Sequence, residues 1–380
     1  MTDRNSQDQT AAFIRDHDAQ GEHRCGSDVD MASAHWLASS IESFGAEPNL
    51  IGFDMARVNQ EVGQLAVDGE VFEGSIQYDG GQTSSEGVSG TMGRLGSHHP
   101  IGVRLPEHSA SALMEARQSG EHVAIISVAR QSKHAEEGMA LPNASAFDSP
   151  FGPPVLHLPP EAVVRIEALI GAETHFVASA SRTPTQAFNV EARIRGLDAS
   201  LAPLVVLTAR SGWWQCASER GTGLAVWLNS LGAVQSARCR RDVRFIATTG
   251  HELGHIGLKH AMKSLDDSEI AASTWIHIGA SIGAAFGACL WLQASDTDLA
   301  TMAENDLRDA GASLDRKHPV GDPPTGEASS IFKHRARYVS VLSPNALLRH
   351  QADRWPKAVD IGRTEPIAQA IAQMCISAAN

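Results

Sequence analysis

The sequence predicts an α/β protein with a mixed, mostly parallel central sheet, helices flanking that sheet, and an inserted, mostly β domain. After Asn189, apolar strand-like runs alternate with helical segments, which is typical of a sheet covered on both faces. Between about Glu61 and Ser181 the pattern changes to short β-like runs and loops rich in Gly, Ser and Pro. A length of 380 residues, with 42% hydrophobic and 20% charged residues, suits a globular chain of roughly two or three domains.

We therefore predict an N-terminal part of the α/β domain at residues 1–60, a separate, mostly β insertion at 61–181, and the remainder of the α/β domain at 182–380. The first segment contains one predicted helix with Leu37 and Ile41 on its apolar face. It begins between Ser27 and Asp30 and ends at Gly45. A strand follows over roughly residues 50–58.

The insertion contains three β-like runs, VFEGSIQY, HVAIISVAR and THFVASAS, and one helical segment near residues 109–119. The predicted strands of the last segment are VEARIRG, PLVVLTAR, DVRFIATTG, STWIHIG and RYVSVLS. Its predicted helices are Leu224–Leu231, a short one after His251, a surface helix at 295–310 and a closing helix at 364–376. Thr364 is the expected N-cap of the closing helix. A Pro/Gly loop is predicted at 318–329.

Residues 271–295 carry no charged side chain, a length that could span a bilayer. The run is broken by three glycines and contains His277, so two buried strands joined by a glycine-rich turn account for it better. The N-terminus has no basic start followed by an apolar stretch, and we expect a cytoplasmic protein.

Charge and cysteine content exclude several classes of partner. The net charge of −13 repels phosphate backbones and anionic membrane surfaces, so we expect neither nucleic acid nor membrane as a partner. Five scattered cysteines without a CxxC pair indicate neither a disulfide framework nor a thiolate zinc site. The expected partner is a small-molecule or peptide substrate, and the sequence leaves open whether the chain forms a homo-oligomer.

The most specific local motif is HELGH, residues 251–255, which fits the HExxH pattern of two zinc-binding histidines and a glutamate base. That pattern normally lies within a long helix. Here it follows a strand directly, and Gly254 and Gly257 weaken helix formation. Ligands in open α/β sheets do bind just beyond the carboxyl ends of strands.

Three further polar side chains follow predicted strands in the same way: Glu219, His277 and His350. Taken singly, each has an ordinary structural interpretation as a solvated carboxylate, a hydrogen-bonded core histidine or a surface residue. Taken together with HELGH, they predict a common site at one edge of the sheet.

The order of these motifs resembles the co-catalytic zinc aminopeptidases of clan MH, metallopeptidase family M28. HRCGSDVDMASAHWLASSIESFGAEP resembles the opening helix of that family, and residues 61–181 are similar to its protease-associated (PA) insertion. FNVEARIRG resembles the strand that re-enters the catalytic domain. The resemblance implies the zinc-aminopeptidase fold and a metal-dependent hydrolase of peptide or related amide bonds.

The resemblance also implies site residues. Glu219 in ASERGTG matches the aspartate that bridges both metals, Glu252 in HELG matches a metal-binding glutamate, and His350 in RHQAD matches a metal-binding histidine. LTARSG lacks the histidine of the second metal site. His277 replaces the aspartate of that site, and His251 replaces the glutamate base.

We therefore expect a histidine-rich metal site built from Glu219, Glu252, His255, His277 and His350. A nitrogen-rich sphere suits Zn²⁺, as one ion or two, with Mn, Fe or Co as alternatives. Either His251 or Glu252 would be the catalytic base, and the sequence does not decide between them.

Substrate-binding candidates surround the same segment. Trp213 and Trp214 would line the pocket, and Arg210 and Arg220 would bind a carboxylate or another anion. The predicted reaction is attack of metal-activated water on an amide or related C–N bond. Two alternatives are a catalytically inactive peptidase homologue that acts as a binding or scaffold protein, and a metal enzyme with other chemistry such as deamination.

Overall fold

The computed structural model describes residues 2–380, without the side chains of residues 2–6 and 110. The helices of this part of the chain are Thr2–Asp18 (α1), Asp28–Ser43 (α2), Ala110–Ser119 (α3), Val163–Ala168 (α4), Thr222–Ala237 (α5), Ile256–Lys263 (α6), Asp267–Ala272 (α7), Thr297–Asp309 (α8), Ala328–Lys333 (α9) and Ile361–Ala379 (α10). Its strands are Pro48–Val67 (β1), Glu70–Glu73 (β2), Ser75–Ile76 (β3), Val88–Arg94 (β4), Ile101–Arg104 (β5), Ala124–Val128 (β6), Val155–Leu158 (β7), Glu173–Ile194 (β8), Leu204–Ala209 (β9), Val243–Thr248 (β10), Thr274–Ile278 (β11), Trp291–Ala294 (β12), Arg316–Lys317 (β13) and Arg337–Leu342 (β14).

The central sheet is mixed, as the sequence predicts. Its strand order is β13-β12-β14-β11-β9-β10-β8, in which β14, β11, β9 and β10 run parallel, β12 is antiparallel to β14 and parallel to β13, and β8 is antiparallel to β10. The central strands β9 and β10 consist of almost entirely buried residues, because helices cover both of their faces. The predicted fold class is therefore confirmed.

Two apolar cores lie on opposite faces of this sheet. One packs α2, α5, α8 and α10 against the sheet, and the fully apolar face of α10 repeats at Ile367, Ala370, Ile371 and Met374. The other packs α6, α7 and α9 against the opposite face, around Trp275 and Tyr338. Burial on both faces accounts for the long apolar runs of the sequence.

Strands β1 and β8 connect the central sheet to the insertion. They pair antiparallel over their whole lengths, from Pro48 opposite Ala192 to Val67 opposite Thr174. One end of β8 pairs with β10 of the central sheet, and its other end pairs with β4, which leads into the parallel strands β4-β5-β6-β7. Both long strands cross the predicted boundaries at 60/61 and 181/182, and the division into three segments stays a prediction.

Several predicted elements differ in extent. The first sixty residues contain two helices rather than the one predicted. Helix α1 is polar over most of its length, and Ile14 is a buried apolar side chain within it. The first strand reaches Val67 instead of residue 58. The closing helix begins at Ile361 with Asp360 as its N-cap, so Thr364 lies within the first turn. The predicted loop at 318–329 leads into α9.

The uncharged run at 271–295 forms β11 and β12 with a loop at 279–290 between them, as predicted. Among the residues that the structure describes, no helix has both the length and the apolar character needed to cross a bilayer.

Candidate functional site

A pocket of about 130 Å³ lies at the carboxyl ends of the parallel strands β9, β10, β11 and β14. Parallel strands that end at one edge of a sheet bring their following loops together, and this is where ligands bind in open α/β sheets. The polar side chains that line the pocket are Asn143, Glu219, Arg220, His251, His277 and Arg349. The sequence predicts all four of these strand exits, and of the polar side chains predicted at them Glu219, His251 and His277 line the pocket.

Glu219 is buried in the turn between β9 and α5, and both of its carboxylate oxygens have partners. Oε1 accepts a hydrogen bond from Arg220 Nη2 at 2.8 Å, and Oε2 accepts one from the Arg349 backbone N–H at 2.7 Å. Arg220 is equally buried, and its Nε donates to the Ser211 carbonyl. The two residues form a buried ion pair in the pocket wall, and each of them has a further hydrogen bond to the backbone.

Asp353 fixes the backbone that carries Glu219. Its two carboxylate oxygens accept the Ser218 and Glu219 backbone N–H groups at 2.9 Å each. Burial raises the pKa of Asp353 to about 7, against the effect of these hydrogen bonds. The sequence analysis did not single out this residue, although it lies three positions after His350 in the RHQAD segment.

The HELGH segment does not form the long helix of a zinc protease. Gly250 and Gly254 adopt φ of 75° and 72°, and a single turn at His251–Leu253 lies between them before α6 begins at Ile256. His255, with φ of 61°, is the residue before that helix. The rings of His251 and His255 nevertheless lie close, with centroids 4.6 Å apart.

Glu252 points away from the histidines of its own segment. Its Oε1 accepts the Cys25 backbone N–H at 2.8 Å, and its Oε2 accepts the Ser211 hydroxyl at 2.7 Å. Burial raises the pKa of its carboxyl group. Glu252 does not line the strand-end pocket. Its two hydrogen bonds connect Cys25 of the N-terminal segment to Ser211 in the loop after β9.

Glu327 is the carboxylate that accompanies the histidines instead. It is fully buried, its Oε1 lies 3.3 Å from His251 Nδ1, and it accepts the Thr248 hydroxyl at 3.2 Å. Its Oε2 lies 4.0 Å from His277 Nε2 and has no hydrogen-bond partner among the described residues. Sequence reasoning missed this residue, and the only available signal is a carboxylate that immediately precedes a helix in a Pro/Gly loop.

His277 lies where the sequence predicts, near the end of β11. Its Nδ1 is 2.8 Å from the Ser340 hydroxyl of β14, which leaves Nε2 directed towards Glu327. Burial lowers the pKa of His277 and of His255 to about 4, and it lowers that of His251 well below its ordinary value. These imidazoles are therefore neutral at pH 7.

His350 does not line the pocket. Its Nδ1 accepts the Ala352 backbone N–H, and its backbone forms an antiparallel bridge with Ala140 of the insertion. Its Nε2 is buried without a hydrogen-bond partner among the described residues. His350 thus lies at the contact between the insertion and the central sheet.

Of the predicted substrate-binding residues, Arg220 alone is among the residues that line the pocket. Arg210 is fully buried and forms an ion pair of 2.8 Å with Asp30. Trp213 packs on Tyr78 with ring centroids 4.7 Å apart, and Trp214 Nε1 donates to the Arg349 carbonyl. These three residues therefore pack against, or are hydrogen-bonded to, neighbouring parts of the chain outside the pocket.

Backbone strain concentrates around the same site. Non-glycine residues with positive φ include Cys216, His255, Ser281 and Arg349, at φ between 55° and 63°. Arg349 lines the pocket, and the other three lie within four residues of a residue that does. Such conformations cost free energy and cluster at functional sites, so the strain supports a binding role for this edge of the sheet.

Of the five predicted metal ligands, Glu219 and His277 line the pocket together, whereas Glu252, His255 and His350 are not among its lining residues. Among the described residues, no group of three or more His, Cys, Asp or Glu side chains is arranged to hold a metal ion. Glu219 is engaged by a guanidinium, Glu252 faces Cys25 and Ser211, and His350 lies outside the pocket. In this conformation the residues do not fit a co-catalytic metal pair.

Solved structures of aminopeptidases share this fold over nearly the whole chain. The zinc aminopeptidase from Bacillus subtilis matches with a TM-score of 0.83 at 15% identity, covering 98% of this chain and 95% of that chain. The aminopeptidase from Aneurinibacillus sp. strain AM-1 matches with a TM-score of 0.74 at 12% identity, covering 98% and 94%. A Peptidase M28 precursor from Shewanella amazonensis SB2B matches with a TM-score of 0.72 at 13% identity, covering 100% and 97%.

No protein-family model and no curated protein matches the sequence itself. The structural likeness, at these identities, establishes the fold of the zinc aminopeptidases for this chain. It confirms, at the level of the fold, the resemblance that the motifs indicate.

Proposed function

We propose that this chain is a binding protein built on the zinc-aminopeptidase fold, with a strand-end pocket that takes a small polar ligand without peptidase turnover. The ion pair between Glu219 and Arg220 is the observation that carries this proposal. Glu219 occupies the position that resembles the metal-bridging aspartate, and it is already compensated by a buried cation.

Arg220 makes metal binding at Glu219 unfavourable on electrostatic grounds. A guanidinium remains charged at every accessible pH, and Arg220 is buried with only 3% of its side chain exposed. A divalent cation at Glu219 would either displace this guanidinium into an uncompensated buried position or lie within a few ångströms of it. Both arrangements are costly where the local dielectric is low.

The substitution of His251 for the glutamate base supports the same proposal. His251 is neutral at pH 7, and its Nδ1 is engaged by Glu327. The pocket therefore offers neutral imidazoles, one compensated ion pair and the Arg349 side chain. Such a set can bind and orient a polar ligand.

The test is metal binding by the purified protein. Equilibrium dialysis against Zn²⁺ followed by metal analysis should give well below one ion per chain, and aminoacyl anilides should not be hydrolysed. Arg220→Met should increase zinc affinity by roughly tenfold or more, because it removes the competing cation. Arg308→Met, which removes an exposed arginine, is the matched control and should change nothing.

A second candidate is the metal-dependent hydrolase that the sequence predicts, cleaving an amide or related C–N bond of a small substrate or peptide. It is favoured by the position of His251 and His277 on either side of Glu327, whose Oε2 has no partner among the described residues. Stoichiometric zinc in the wild type, lost in both His277→Ala and Glu327→Gln, would establish this candidate. That result would overturn the proposed binding function.

A further inference from the structure

We propose that a second cavity, of about 350 Å³ where the insertion meets the central domain, binds a small organic anion with an apolar body. The cavity is lined by α3, by residues at and after the ends of β5 and β6, and by the loop at residues 140–143. Its volume lies within the range of small-molecule sites in proteins. The proposal is independent of whether the strand-end pocket turns over a substrate.

Positive charge is concentrated in this cavity. Its lining includes four arginines and, among the described residues, no aspartate or glutamate; the arginines are Arg104, Arg117, Arg130 and Arg349. The chain as a whole has a net charge of −13. A lining whose charged residues are all cationic is therefore a local departure from the overall charge, and a cavity lined by one sign of charge attracts ligands of the opposite sign.

Three of these arginines form no ion pair with any described residue. Arg130 Nη2 donates to the Pro106 carbonyl, and Arg104 donates to the His108 and Ser109 carbonyls and, at 3.5 Å, to the Ser127 hydroxyl. Arg117 is paired with the buried Asp79, yet its Nε has no partner among the described residues. The Nε of Arg349 is also buried without a partner in that part of the chain. Unused guanidinium donors are suited to carboxylate or phosphate oxygens.

The positive charges of the cavity help to lower the pKa values of Arg104 and His157. Burial lowers the pKa of Arg104, and the nearby Arg130 lowers it further, against the opposite effect of Glu107. Burial, followed by the charges of Arg104 and Arg117, lowers the pKa of His157 to about 3. His157 is therefore neutral at pH 7, and its Nε2 lies 2.8 Å from Gln77 Oε1. An anion in the cavity would relieve the repulsion between these cations.

Apolar side chains cover the remainder of the cavity. Leu113 and Met114 contribute from α3, and Leu141 and Pro142 contribute from the facing loop. Met114 is 42% exposed, so its side chain is accessible to a ligand in the cavity. The lining thus fits an oxyanion attached to an apolar group better than an inorganic ion alone.

The two cavities adjoin at Asn143 and Arg349, which line both of them. The insertion holds this contact through the Leu141 backbone N–H, which donates to the Arg349 carbonyl at 3.2 Å. Arg349 in turn donates its backbone N–H to Glu219. An anion bound at Arg349 would therefore lie beside the strand-end pocket without occupying it.

The experiment is isothermal titration calorimetry of the full chain with phenyl phosphate, hippurate and neutral benzamide. At least one of the two anions should bind roughly tenfold or more tightly than benzamide, and the stronger of them identifies the headgroup as phosphate or carboxylate. Arg130→Ala and Arg104→Ala should each weaken that binding by roughly tenfold. Arg117 is left intact because its loss would strand the buried Asp79 carboxylate.

Arg165→Ala is the matched control, since Arg165 is an exposed arginine of the insertion outside the cavity and its loss changes the net charge equally. It should leave the affinity unchanged, as should His277→Ala in the strand-end pocket. Equal binding of benzamide and both anions would overturn the proposal. So would equal weakening by Arg165→Ala and Arg130→Ala, because binding would then follow net charge alone. Circular dichroism checks that each variant is folded.

Discussion

The buried carboxylate of Glu219 and the guanidinium of Arg220 compensate each other inside the pocket wall. Their side chains are only 2% and 3% exposed, so neither can be hydrated if the other is removed. Losing one partner of a buried pair costs more than losing both, because a single buried charge remains without compensation. The pair can therefore be examined by stability as well as by metal binding.

We predict that Arg220→Met lowers the free energy of unfolding by about 3 kcal/mol, because it leaves Glu219 without its cation. The double variant Glu219→Gln with Arg220→Met should regain a large part of that loss. Urea denaturation followed by circular dichroism measures both values. A double variant at least as unstable as Arg220→Met would show that the carboxylate does not depend on this cation.

Histidine burial makes stability depend on pH, and His157 is a suitable single case. Its pKa of about 3 in the folded state is below the ordinary value of 6.5, so the unfolded chain binds more protons between these two pH values. The contribution of His157 to the free energy of unfolding is thus fully present above about pH 6.5 and is lost as the pH falls towards 3. Between pH 6.5 and 5 the wild type should lose about 1.6 kcal/mol more than His157→Gln does.

Thermal or urea unfolding at the two pH values measures this difference, and the comparison with His157→Gln cancels the other titrating groups. His98→Gln, at an exposed position of the insertion, should follow the wild type. Identical pH dependence of the wild type and His157→Gln would contradict the prediction.

The sequence could predict which loops meet at the site, but not which of their side chains turn inwards. Glu219, His251 and His277 line the pocket because the carboxyl ends of parallel strands converge. Glu252 is adjacent to His251 in sequence, yet two positive-φ glycines turn its carboxylate towards Cys25. Glu327 comes from a loop without periodicity, and nothing in its sequence indicates that it is buried.

Among the secondary-structure elements, the turn at residues 250–254 determines the geometry of the HELGH histidines. Gly250 and Gly254 both have positive φ, which a non-glycine residue adopts only at a cost. At Gly254, an added Cβ would also lie 2.6 Å from the Ser145 carbonyl oxygen. This glycine is therefore required both by its dihedral angle and by the close approach of the insertion.

We predict that Gly254→Ala lowers the free energy of unfolding by about 2–4 kcal/mol, the sum of the left-handed backbone and the steric contact. Gly45→Ala is the matched control, because Gly45 has φ of 76° and no atom within 4 Å of an added Cβ. It should cost only about 1 kcal/mol. Thermal unfolding of both variants gives the comparison, and equal losses would show that the contact with Ser145 is not tight.

Elements with strong apolar patterns were predictable, and those with weak patterns were not. The runs PLVVLTAR and DVRFIATTG became β9 and β10 because strands buried on both faces need continuous apolar residues. Helix α1 is mostly polar, so its sequence lacks the apolar periodicity that identifies a helix.

At the scale of the whole molecule, the fold depends on many apolar positions and the site on a few polar ones. The chain keeps the architecture of the Bacillus subtilis zinc aminopeptidase at 15% identity, since packing tolerates exchange among apolar residues. Under the proposed function, the exchange of a few polar residues at the strand exits changes what the pocket binds. The same fold can therefore serve different chemistry.

The position of β8 in the central sheet has a consequence for synthesis on the ribosome. Strand β8 stands between β10 and β1, and the chain reaches it only after the insertion has been translated. Apart from its end at Gln64–Val67, which pairs with β2, strand β1 therefore has no pairing strand until the residues from Glu173 onwards have been translated. Pairings that close such long stretches of chain form slowly, and we expect the nascent insertion to fold before the sheet to which it is attached.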